Sequence, residues 1–152
     1  MTGSPDLRER MGIMPEGSSA PDLVAIEGAT TADLGSGDYT QIGSWLVWMS
    51  ELLCEAVDPH PGQRVLDVAG GTENAELAAA RRFGEVTYTD YVPAFLDRAR
   101  QRAAAEGLPV GIQEVDAENL PYADASFDVV LSAIGAMFAP NQEQVARELM
   151  RV

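Results

Sequence analysis

From Arg64 to Val152, short β-branched runs alternate with segments of helix length, and this alternation constrains the fold more than any other feature of the chain. RVLDVA (64–69) precedes the helical TENAELAAARRFG (72–84), and EVTYTD (85–90) precedes PAFLDRARQRAAAEG (93–107). PVGIQEVD (109–116) is a third strand, ENLPYADAS a loop, and FDVVLSAIG (127–135) a fourth strand. The punctuation agrees: Thr72 is placed to cap the first of these helices, Gly84 lies just past its end, Pro93 occupies a first helical position and Gly107 closes the second helix. Asn141 with Gln144 resembles a capping box opening a last helix, whose Val145, Leu149 and Val152 share one face. Parallel strands joined by right-handed helical crossovers give an α/β fold, a Rossmann-like doubly wound parallel sheet. Upstream, Ile42, Leu46, Met49 and Leu53 recur at helical spacing between Tyr39 and Val57. Trp45, Trp48 and Leu52 form a second row, and both rows are read as core. Residues 1–37, rich in Gly, Pro, Ser and Thr, are expected to form an irregular arm, leaving 38–152 as the domain.

Acids outnumber bases by 24 to 10, a net charge of -14, so the field of the chain repels phosphate backbones and anionic lipid; neither nucleic acid nor membrane is an expected partner. No apolar run reaches bilayer length and the opening MTGSPDLRER lacks the apolar centre of a secretory signal, so the expected location is cytoplasmic. Cys54 is the sole cysteine, which excludes an intramolecular disulfide and a multi-cysteine zinc site; among Leu52, Leu53 and Val57 it reads as a packed thiol. His60, the sole histidine, lies between prolines in a turn that places it in solvent, so neither a histidine-dependent triad nor a metal site is expected.

The chemistry concentrates in VLDVAGGTEN, residues 65–74. Ligands of doubly wound sheets collect at the carboxyl ends of the strands, near the point where strand order reverses. Gly70 and Gly71 allow close backbone approach there, and the next helix points its amino-terminal N–H groups at the same place. A dinucleotide turn wants G-x-G-x-x-G, but the corresponding letters are Ala69, Gly71 and Asn74. The third glycine is missing, which weighs against a nicotinamide-dependent dehydrogenase. Asp67, two residues before the turn, disfavours a pyrophosphate and suits a cationic ligand.

On these residues the chain from 62 to 152 resembles the first part of a class I S-adenosylmethionine-dependent methyltransferase, of the small-molecule type related to the ubiquinone and menaquinone methyltransferases. The family's first motif is V-L-D-x-G-x-G-T-G, and VLDVAGGTE follows it with departures at Ala69 and Glu73. The resemblance implies S-adenosylmethionine as cofactor, held along Ala69, Gly70 and Gly71, with Asp67 complementing its ammonium directly or through water. Asp90, 23 residues after Asp67 (90 minus 67), is expected to accept from the ribose hydroxyls, with Tyr91 along the adenine edge. DAENLPYADASFDVV implies Asp116 near the adenine amino group and the Ala117 backbone near the ring. LSAIGAMFAPNQEQVARELMRV implies Ser132 beside the methionine portion. Tyr39 in SGDY is a further candidate contact. Glu73 stands where the family brings backbone close to the methionine end, so reduced affinity is expected.

The implied reaction is in-line displacement at the sulfonium methyl by an oxygen, nitrogen or carbon nucleophile of a small molecule. No catalytic base is assigned: His60 lies on the wrong side of the first strand and Asp128 reads as a structural residue opening the fourth. Ile134, Met137 and Phe138 either line a lipophilic or aromatic acceptor pocket or are core residues of the part that family members carry further on. Without those later strands the fourth strand is expected to be an open edge, suited to homodimer pairing. The alternative is a non-catalytic methyltransferase-like fragment that binds cofactor weakly or serves as an interaction module.

Overall fold

A computed structural model of the chain describes residues 40–71 and 74–152, the side chains of 40–42 excepted; the expected arm, the 37/38 boundary, Tyr39, Thr72 and Glu73 lie outside the described residues. Four parallel strands, β1 (Arg64–Val68), β2 (Glu85–Asp90), β3 (Val110–Glu114) and β4 (Val129–Leu131), form one sheet in the order β3-β2-β1-β4. The helices are α1 (Thr40–Val57), α2 (Ala75–Arg81), α3 (Pro93–Glu106) and α4 (Gln142–Arg151), with a 3₁₀ turn over Gly135–Phe138. The chain runs outward from β1 to β3 and then returns to the other side of β1. Strand order therefore reverses between β1 and β4, and a crevice opens at their carboxyl ends.

The central strands β1 and β2 are buried along most of their length, including the polar Asp67, Thr89 and Asp90. Val65 packs with Cys54, Ala75, Ala78 and Ala79 under α1 and α2, whereas Leu66 and Val68 face Leu120, Val145 and Val152 on the α4 side. Asp128, as expected, is structural: its carboxylate accepts from the Arg64 backbone N–H at 2.8 Å and pairs with the Arg64 guanidinium at 3.2 Å. Asn141 caps α4 by accepting from Gln144 N, but the Gln144 side chain donates to Glu118 O instead of returning to the cap. Val145 and Val152 are buried on the shared face.

Two expectations are corrected. Trp45 and Trp48 are each 71% exposed and Leu52 is exposed too, so the second row of α1 is not core. The buried stripe of α1 is Gly43, Ser50 and Cys54. Small residues there let α1 lie close on the alanines of α2, and Glu51 adds ion pairs to Arg81 and Arg82. That stripe turns the tryptophans outward. Cys54 is the packed thiol expected, with burial pushing its pKa to about 11. The fourth strand is also shorter than its apolar run: β4 pairs with β1 only from Val129 to Leu131, after which Ser132 Oγ accepts from Ala136 N and bends the chain into the 3₁₀ turn. Among the described residues β4 pairs only with β1.

Phe83 follows α2 with φ +63 and is 76% exposed, a left-handed position where glycine is the usual occupant. A side chain in that conformation costs about 1–2 kcal/mol and here recovers little by burial. Phe83→Gly is therefore expected to raise stability by roughly 1 kcal/mol after the entropy of the added glycine is deducted. Urea unfolding midpoints of parent and variant check this, and a lower midpoint in the variant would contradict it.

Candidate functional site

The turn Ala69–Gly70–Gly71 leaves the end of β1 and is held from β2. Gly70 N–H donates to Thr89 O at 3.2 Å, Gly71 N–H donates to Asp90 Oδ2 at 3.0 Å, and Tyr88 O–H donates to Gly71 O at 3.2 Å. The two glycines answer different demands. A Cβ on Gly70 would lie 2.8 Å from Tyr88 Cδ2 and 2.9 Å from Asp67 Oδ2, so its place is set by packing. Gly71 has φ +59 and open space where a Cβ would stand. Ala69, at φ +51, holds a left-handed conformation without being glycine.

Above this turn, at the carboxyl ends of the strands, lies a cavity of about 310 Å³. Its polar lining comes from Ser50, Asn74, Asp90 and Tyr91, and its apolar walls from Leu46 and Met49 of α1, Phe95 of α3, and Ala133, Ile134 and Phe138 beyond β4. Asp90 Oδ1 accepts from Val92 N at 2.9 Å while Oδ2 holds Gly71, which leaves further lone pairs of an acceptor-only group on the cavity wall. Burial pushes the Asp90 carboxyl upward, against the pull of these N–H bonds.

Ala69, Gly70, Gly71, Asp90 and Tyr91 are thus brought together around one cavity, as the sequence implied. Asp67 is not among its lining. It is fully buried behind the turn, where Oδ2 accepts from Glu76 N at 3.1 Å and Oδ1 has no partner among the described residues. The reason is that α2 begins just beyond the turn and brings the N–H of Glu76 over the carboxylate. Burial raises the Asp67 pKa to about 7, offset by its bonds with Glu76 and increased by the charge of Asp90. Asp116 is exposed, with its carboxylate accepting from Glu118 N, and Ala117 is buried in the α4-side core; neither lines the cavity. Ser132 is occupied in bending the chain, and its neighbours Ala133 and Ile134 face the cavity instead. Met137 is exposed and outside the lining. His60 is exposed, and no group of metal ligands occurs among the described residues.

Three further residues shape the site without a distinguishing signal in the sequence. Tyr88 is the fully buried floor of the turn, and its position in EVTYTD reads only as a strand aromatic. Glu76 is fully buried on an otherwise alanine-rich helix, where an acid in a first turn reads as a surface charge. Asn74 stands at the amino-terminal cap of α2 without capping it.

A reversal of strand order, a glycine turn after β1 and a carboxylate closing β2 define a cofactor-binding α/β protein of the Rossmann-like class. The chain belongs to the family described as the methyltransferase domain, whose pattern matches residues 66–152, and this is a class of S-adenosylmethionine-dependent enzymes. It is 44% identical over 117 residues to the uncharacterized protein Rv1405c of Mycobacterium tuberculosis, covering 76% of this chain and 43% of that one. It is 40% identical over 107 residues to the demethylmenaquinone methyltransferase of Deinococcus radiodurans, covering 69% and 44% respectively. The crystal structure of YcgJ from Bacillus subtilis superposes with a TM-score of 0.65 at 27% identity, over 68% of this chain and 45% of that one. The chain therefore spans less than half the length of these relatives.

The residues present fit S-adenosylmethionine. Beside Gly71 no described atom lies within 4 Å of where a Cβ would stand, so a ligand can approach the backbone there, and Asp90 retains acceptor capacity suited to a vicinal diol in the same cavity. Among the described residues no helix is long and apolar enough to cross a membrane.

Proposed function

We propose that this chain forms the cofactor-holding part of a methyltransferase that transfers a methyl group from S-adenosylmethionine to a small lipophilic or aromatic acceptor. The observation that carries the reading is the placement of Gly71 and Asp90 on one wall of a cavity whose other walls are mainly apolar. When bound, the cofactor supplies a methyl group already activated by its sulfonium. The chain's own residues then have three tasks. Asp90 and Tyr91 hold and orient the nucleoside end, the glycine turn admits backbone contact, and Leu46, Met49, Ile134 and Phe138 exclude water. In-line displacement at the methyl carbon is the reaction that fits, with oxygen, nitrogen or carbon as nucleophile.

A cytoplasmic location and the absence of nucleic acid and membrane partners are part of this reading, supported by the net charge of -14. So is pairing of two copies through the open edge of β4. A second reading, a cofactor-binding module without catalysis, is favoured by one observation: Asp90 and Tyr91 are the only titratable groups among the described lining residues.

Isothermal titration with S-adenosylhomocysteine tests the binding step. The parent is expected to bind with a Kd on the order of 10 μM, and Glu73→Gly to bind several-fold more tightly. No heat from the parent would sink the reading. Transfer of a labelled methyl group to a panel of quinols and phenols then separates the enzyme from the module.

A further inference from the structure

Asn74 is 5% exposed and joins three elements through one side-chain amide. Its Nδ2 donates to Gly43 O in the first turn of α1 at 2.9 Å, and its Oδ1 accepts from Arg102 Nη1 on α3 at 3.0 Å. The amide orientation follows from chemistry: a guanidinium only donates and a carbonyl oxygen only accepts, so the oxygen must face Arg102 and the nitrogen Gly43. Asn74 also lines the cavity, and just two residues separate it from Gly71. The helix it grips is the one whose Leu46, Met49 and Ser50 form a wall of that cavity.

We propose that Asn74 is a positioning residue that couples the cofactor turn to α1, so that occupancy of the turn fixes the α1 wall over the ligand. This rests on the reading that the turn holds S-adenosylmethionine. Asn74 is of a residue type that normally caps a helix, yet it makes no side-chain cap bond to α2 and reaches Gly43 and Arg102, while Asp67 accepts from the first-turn N–H of Glu76. The diversion links a ligand-facing turn to a wall more than 20 residues away in sequence.

Asn74→Asp is the discriminating variant. It preserves shape and the acceptor for Arg102 but sets a carboxylate against the Gly43 carbonyl. Hydrogen exchange with and without S-adenosylhomocysteine, read by mass spectrometry over 43–57, is paired with calorimetric affinity. In the parent the ligand is expected to slow exchange in α1. In the variant it is expected to slow exchange at β1 and β2 but no longer in α1, with affinity lowered about tenfold. Equal α1 protection and equal affinity in parent and variant overturn the inference while leaving the cofactor reading intact. Failure of the parent to bind overturns that reading and this inference with it. Should Asn74→Asp not fold, Asn74→Ala decides in its place. It removes the donor to Gly43 O, so α1 protection is expected to fall, and full protection overturns the inference.

Discussion

Gly135→Ala is expected to destabilise the chain by more than about 3 kcal/mol and to abolish binding of S-adenosylhomocysteine. A Cβ on Gly135 would fall onto the carbonyl oxygen of Ala69 and lie 2.8 Å from both the carbonyl carbon and the Cβ of that residue. The collision is with backbone, so no side-chain rotation relieves it. Ala69 has little room to yield, because it already stands at φ +51 and the next two residues are bonded to Thr89, Asp90 and Tyr88. Either the 3₁₀ turn after β4 separates from the glycine turn or the glycine turn itself is rebuilt. Both outcomes dismantle the cavity. Gly111→Ala in β3 is the control: its nearest neighbours would be 3.6 Å away, an ordinary contact, so a change within about 0.5 kcal/mol is expected. Urea unfolding of the two variants against the parent measures the difference. Equal midpoints for Gly135→Ala and parent would show that the two turns are not packed backbone to backbone.

The second large effect is a dependence of stability on pH with a sign opposite to that given by ion-paired carboxylates, whose folded pKa values are lowered. Asp67 has its pKa raised to about 7 by burial, against 3.8 for the ordinary group. Between those values the folded chain keeps a proton that the unfolded chain has lost, so stability falls as pH rises. The loss is complete once pH passes the folded value. Its slope approaches at most about 1.4 kcal/mol per pH unit over roughly pH 4.5 to 7. Asp90, also raised by burial, acts in the same direction. Glu148 and Asp128 are lowered by Arg151 and Arg64, so their contributions are lost only on acidification below the ordinary carboxylate range. The groups around Asp67 are Glu76 from α2, Asp90 from β2 and Cys54 from α1, with no cation among the causes of its shift. Denaturation at half-unit steps from pH 5 to 8.5 is expected to show a decline in the parent up to about pH 7 that levels off above it. Asp67→Asn should flatten the decline, since its amide oxygen can still accept from Glu76 N and no charge need be buried. A parent whose stability rises over that window would contradict this account of the buried carboxyls.

Much of this was legible in the residues. EVTYTD is β2 without a change of boundary, Pro93 and Gly107 bracket α3, and Gly70, Gly71 and Asp90 meet at the cavity as their spacing and the family resemblance implied. Local chemistry governs those positions. A proline fixes φ, a glycine at φ +67 ends a helix, and period-two apolarity marks a strand whatever lies beside it.

Other features depend on contacts between distant segments, and neighbouring letters do not encode them. The α1 tryptophans are exposed because Gly43, Ser50 and Cys54 let the opposite face approach α2 more closely than any bulky row could. β4 stops at Leu131 because the next residues turn against Ala69, 60 positions or more away in the chain. Asp67 is hidden, and not presented to a ligand, because the N–H of Glu76 comes to rest on it. By itself the sequence determined the alternating elements, the glycine turn and the carboxylate that closes β2, since each follows from backbone preference or from a side chain's donors and acceptors. Which acid faces the cavity, which row of α1 is buried and what Asn74 holds together follow from the assembled fold, because desolvation and close packing are set by what arrives from elsewhere in the chain.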